Sequence, residues 1–78
     1  MPTFPVDAEK ARVLRTLEFF GFQVVREREH ISMQRENADG SRTTLTLPNH
    51  RRIKGSTLRA ICRQAGITRD DLMEAFNR

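Results

Sequence analysis

The chain has 78 residues, a single cysteine and a net charge of +4. That length suits one domain, residues 1–78, with a core of about a dozen side chains. One cysteine, Cys62, leaves no internal disulfide and no cysteine-built zinc cluster. With no apolar run after Met1, neither a signal peptide nor a membrane span is predicted, and the expected location is the cytoplasm.

The charge is unevenly placed. Residues 1–25 carry three bases and three acids, residues 26–42 four of each, and residues 61–78 three of each. The whole excess comes from residues 43–60, where Arg51, Arg52, Lys54 and Arg59 stand without an acid. A local basic segment on a balanced body predicts a polyanion contact, most simply nucleic acid; a solvated surface loop is the plainer reading.

In chain order, residues 1–6 hold two prolines and read as an extended lead. Asp7 is placed to cap a helix over about 8–20. Val13, Leu14, Leu17 and Phe20, with Ala11 beside them, make its apolar stripe. Gly21 stops it, and Phe22 packs back onto the last turn. Residues 22–28 and 30–36 then read as two strands, with Ile31 and Met33 toward the core and His30, Ser32 and Gln34 on the opposite face. Residues 37–40, Asn-Ala-Asp-Gly, are a turn. Residues 41–48 form a third strand with Leu45 and Leu47 inward, Thr44 and Thr46 outward, and Pro48 as its end.

Residues 49–56 read as a loop. A helix follows from Ser56 or Thr57 to Ala65, with Leu58, Ile61, Cys62 and Ala65 inward and Gly66 as its stop. The last helix opens on Thr68, with Asp71 completing a capping box and Ile67 and Leu72 a staple. Leu72, Met73 and Phe76 face inward. The expected fold is α+β: a three-stranded antiparallel sheet with helices on one face and a wet opposite face.

Candidate chemistry gathers at two places. His30 falls on the wet face; on its own it is either a proton-transfer group or a solvated histidine in a charged strand. His50 follows Pro48 in the basic loop. It is a phosphate donor, a second proton-transfer group or a plain loop residue. In the basic segment, Gly55 lets the backbone turn closely, and Ser56 and Thr57 open a helix end that attracts phosphate. Lys54 and Arg59 flank that end, with Arg51 and Arg52 nearby. Two histidines without matched carboxylates predict no metal site.

Four stretches together resemble a known family. They are "LEFFGFQVVR", "REHISMQ", "TLTLPNH" and "KGSTLRAICRQAGITRDDLMEAF", over about residues 10–76. The chain is similar to the HicA-type, or YcfA-like, toxins. The resemblance implies an α-β-β-β-α fold related to double-stranded RNA-binding domains. It implies a ribosome-independent mRNA interferase, an endoribonuclease working without metal or other cofactor. It also implies mRNA as substrate and a HicB-like antitoxin as partner, with no membrane involved. The family's catalytic histidine belongs to a Gly-Ser-His motif, which falls here on Arg28, Glu29 and His30. The histidine is kept, while arginine and glutamate stand where the family has glycine and serine, which sets an acid beside the base with Arg28 as the group that could compensate it. The rival expectation is a non-catalytic RNA-binding module, or a degenerate toxin that acts by binding its partner.

Overall fold

The computed structural model describes residues 4–78; the start of the expected lead, residues 1–3, lies outside the described residues. In chain order the elements are β1 (Asp7–Glu9), α1 (Lys10–Phe19), β2 (Gln23–Glu27), β3 (His30–Glu36), β4 (Arg42–Pro48), β5 (Arg52–Lys54), α2 (Gly55–Ala65) and α3 (Arg69–Phe76). The fold is α+β. β2, β3 and β4 form an antiparallel meander, and β1 pairs with β5 in a separate two-stranded ribbon.

The meander follows the alternation in the sequence. Ile31 lies opposite Leu47 and Met33 opposite Leu45, and all four are buried. Ser32 lies opposite Thr46 and Gln34 opposite Thr44 on the other face. β2 departs from a plain alternation. Val24 pairs with Met33 and Arg26 with Ser32, so Val25 is an extra residue at a bulge. The bulge leaves every residue of this edge strand exposed.

The helices close the core. α1 ends as its sequence predicts: Gly21 takes φ +93°, its N–H goes to the Glu18 carbonyl, and the Phe22 N–H goes to Leu17. A side chain at Gly21 would be strained in that region. The turn drives Phe22 into the centre, where it is fully buried with Leu17. Thr16 is buried too, and its hydroxyl donates to the Arg12 carbonyl at 2.8 Å. Thr68 caps α3 by accepting the Asp71 N–H at 3.1 Å. Two arginines from distant elements serve the helix C-termini, where cations are favoured. Arg12 donates twice to the Phe76 carbonyl and lies 3.9 Å over the Phe76 ring. Arg35 donates to the Ala65 carbonyl and lies 4.7 Å from the Phe22 ring centre.

Two expectations need correction. Asp7 does not cap α1; the N-cap residue is Glu9, which makes no side-chain cap bond. Asp7 is two residues too early, because the chain first completes β1 and hydrogen-bonds Asp7 to Arg52. Residues 49–56 are not all loop either. Arg52–Lys54 is a strand, Ile53 is fully buried opposite Ala8, and α2 starts at Gly55. A three-residue strand shows no period of its own, and its partner lies 45 residues earlier in the chain.

Gly55 has a tertiary role. Its N–H donates to the Val6 carbonyl at 2.6 Å. A Cβ there would stand 2.5 Å from the Pro5 carbonyl oxygen and 3.1 Å from that of Val6. The lead therefore lies on the start of α2, and only glycine permits that approach.

Two stability measurements check this account. Ile53→Ala should lower the urea-unfolding free energy by about 2–5 kcal/mol, as for a core isoleucine. A change within about 0.5 kcal/mol would be that of a surface loop. Gly55→Ala should cost about 1–3 kcal/mol through overpacking. The same change should cost clearly less in a chain that starts at Asp7, where the clashing carbonyls are gone.

Candidate active site

His30 opens β3, and its place follows from the ladder. It lies opposite Pro48 and in phase with Ser32 and Gln34, on the face the helices do not cover. It is exposed. The Thr46 N–H points away from β3 and donates to Gln64 Oε1 of α2 at 3.1 Å. By the alternation of antiparallel rungs, the Pro48 position also turns its nitrogen outward. Proline therefore costs the ladder no hydrogen bond here, and it blunts the open edge of the sheet.

The next rung is made by Asn49. Its N–H donates to the Glu29 carbonyl at 3.0 Å, and its side-chain Nδ2 donates to the Arg28 carbonyl at 2.7 Å. The turn between β2 and β3 is closed from inside by the Arg28 N–H on the His30 carbonyl at 3.1 Å. The Arg28–Glu29–His30 turn and the Pro48–Asn49–His50 segment are thereby joined. Each histidine is the immediate chain neighbour of one partner in the Asn49–Glu29 hydrogen bond. No non-glycine residue among those described has a positive φ, so Arg28 sits in this turn without left-handed backbone strain.

The opposite side of Asn49 is held by α1. Lys10 Nζ donates to Asn49 Oδ1 at 2.6 Å, and the Lys10 N–H donates to the Arg51 carbonyl at 2.9 Å. Neither Lys10 nor Asn49 stood out in the sequence. Asn49 had a faint signal, an amide between proline and histidine. Lys10 had none, since its partners lie about forty residues away.

The basic segment divides into parts. Arg51 is exposed next to His50. Arg52 and Lys54 belong to β5, where register sets Glu9 opposite Arg52 and Asp7 opposite Lys54. The Arg52 guanidinium donates to Asp7, which holds that carboxyl below its ordinary range and raises the arginine in turn. β1 thus returns two acids to a segment that contains none in sequence. Ser56 and Arg59 lie elsewhere again. With Phe4, Pro5, Lys54 and Gly55 they line an open cavity of about 530 Å³. The Arg59 and Arg69 guanidiniums stand 5.9 and 5.8 Å from the Phe4 ring centre. At the start of α2 the Gly55 N–H is already taken by Val6. The structure therefore brings the backbone at Arg28–His30 beside the chain that carries His50 and Arg51, and gives Arg52, Lys54, Ser56 and Arg59 other surroundings.

Cys62 is buried, and loss of hydration pushes its thiol pKa up, as for a packing residue. At the far end of the open sheet face, Gln23, Val25, Gln34, Glu36 and Arg42 line a shallow cavity of about 360 Å³. Among the described residues, no helix is long and apolar enough to cross a membrane.

No curated protein matches the chain. A family model does: the one described as HicA toxin of bacterial toxin-antitoxin, over residues 11–67. The matched span runs from the second residue of α1 through the end of α2 and contains His30, Asn49 and His50. The chain belongs to the HicA toxin family.

Proposed function

We propose that this protein is the toxin of a toxin–antitoxin pair and a metal-independent endoribonuclease acting on mRNA. The supporting observation is the exposed His30 at the start of β3, tied through the Asn49–Glu29 hydrogen bond to the segment that carries His50. Cleavage of an RNA strand without metal needs a base for the 2′-hydroxyl proton and an acid for the departing 5′-oxygen. The 2′-oxygen bonds to phosphorus as the P–O5′ bond breaks, leaving a 2′,3′-cyclic phosphate and a 5′-hydroxyl. Imidazole suits both proton transfers near neutral pH. His30 takes one of these roles, and His50 is the available group for the other. Arg28 and Arg51 supply positive charge beside the scissile phosphate, and Arg28 offsets Glu29.

The meander with helices on one face suits the double-stranded RNA-binding-domain comparison. RNA would then be held mainly through phosphates and 2′-hydroxyls. The partner on this reading is a HicB-like antitoxin, and the setting is the cytoplasm. A binding role without cleavage is the second reading. It is favoured by Glu29, which sets an acid next to the base where RNA phosphates must approach.

Expression of the chain alone should arrest growth and degrade transcripts. His30→Ala should reduce RNA cleavage by about 100-fold or more with an unchanged circular dichroism spectrum. A folded His30→Ala protein that cleaves RNA at the wild-type rate would refute the nuclease reading, and a wild type that binds RNA but leaves it intact would favour the second one. Salt titrations of RNA binding test the division of the basic segment. Arg51→Ala should reduce the slope of log affinity against log salt by about 0.7. Arg52→Ala, which removes a charge already paired with Asp7, should reduce it less.

A further inference from the structure

Asn49 makes three hydrogen bonds that converge on the site. Its backbone N–H goes to the Glu29 carbonyl, its Nδ2 to the Arg28 carbonyl, and its Oδ1 receives Lys10 Nζ. The orientation of the amide is settled by chemistry. An ammonium only donates and a carbonyl only accepts, so a flipped amide would meet two repulsions. Aspartate would keep the Lys10 contact and lose the donation to Arg28. Lys10 closes the arrangement from the other side, through its own N–H on the Arg51 carbonyl. The chain on either side of His50 is thus fixed to α1, and the turn before His30 is fixed to Asn49.

We infer that Asn49 is a positioning residue, which together with Lys10 holds the His30 turn and the His50 segment in one fixed relation. This rests on the nuclease reading of the same site. The two histidines come from segments that are separate in sequence, and taking a proton from a 2′-hydroxyl while giving one to the departing 5′-oxygen tolerates little displacement. A shift of about 1 Å is enough to cost on the order of 100-fold in rate. His30 lies on a ladder rung and is held on one side by β4, but its turn is long-range tethered only through Asn49 in the contacts described above. His50 lies outside any strand, so its placement depends on the hydrogen bonds at 49 and 51.

The test compares wild type with Asn49→Ala, Asn49→Asp and Lys10→Met in RNA cleavage and in NMR of the histidine side chains. Asn49→Ala should lower kcat by about 10- to 100-fold with little change in KM, because the RNA-contacting bases remain. Asn49→Asp should be impaired to a similar degree, and Lys10→Met to a smaller one. The imidazole Cε1–H signals of both His30 and His50 should shift in Asn49→Ala, while signals of the buried Phe22 and Met33 stay in place. An Asn49→Ala protein with wild-type kcat, or with unmoved histidine signals, would overturn the proposal. So would a variant in which Phe22 and Met33 move as far as the histidines, since that marks general loosening. Failure of the nuclease reading shows separately, as a wild type that leaves RNA intact; the histidine signals then decide the positioning role alone.

Discussion

The register between β3 and β4 is the constraint on which the rest of the molecule depends. Seven rungs run from His30–Pro48 to Glu36–Arg42. Side chains alternate between faces, so a slip of one residue would send Ile31, Met33, Leu45 and Leu47 from the core into water. Each of those is worth ~1.5–3 kcal/mol of burial. Their combined loss would consume most of the roughly 5–15 kcal/mol that holds a small domain together. Burial on one face therefore dictates placement on the other. With His30 forced opposite Pro48, the chain leaving β4 has to pass the β2–β3 turn, and Asn49 and His50 arrive beside it.

Charge pairing is decided at the same level. Read along the chain, residues 43–60 carry Arg51, Arg52, Lys54 and Arg59 and no acid. In space, β1 lays Asp7 and Glu9 against Arg52 and Lys54, and only part of the excess stays beside the histidines. The Arg52–Asp7 pair is about half exposed on both sides, so it contributes little to stability. Its consequence lies in where the excess charge remains, at Arg51 beside His50. Arg12 and Arg35 likewise have partners within the fold: each is stacked on a core phenylalanine and donates to a helix-terminal carbonyl.

Much of the fold was legible because its signals are local. The stripe through Val13 and Leu17, the Gly21–Phe22 turn, the alternation through β3 and β4, and the Thr68–Asp71 cap each involve residues within a few positions of one another. The same holds for the open face carrying His30. Illegible were the features built from partners far apart in sequence. The β1–β5 ribbon is too short to show a period. Gly55 read as a glycine that lets the backbone turn closely, and the approach it permits is that of the Pro5 and Val6 carbonyls from far along the chain. Asp7 read as a cap by type, and a strand pairing claimed it first. The bulge at Val25 left no mark in a run of residues that alternates acceptably either way.

By itself the sequence determined the order of elements in the meander and the helices, the inward and outward faces of β3 and β4, and the presence of a histidine on the uncovered face. Periodicity and capping chemistry are short-range, and short-range rules suffice for these. Only the tertiary structure decided that Asn49 ties the turn before His30 to the chain beside His50 and to Lys10, and that β1 sets two acids across from Arg52 and Lys54. Those outcomes depend on which strands pair and in which register. That choice is made by the burial of the whole core, and no window of neighbouring residues contains it.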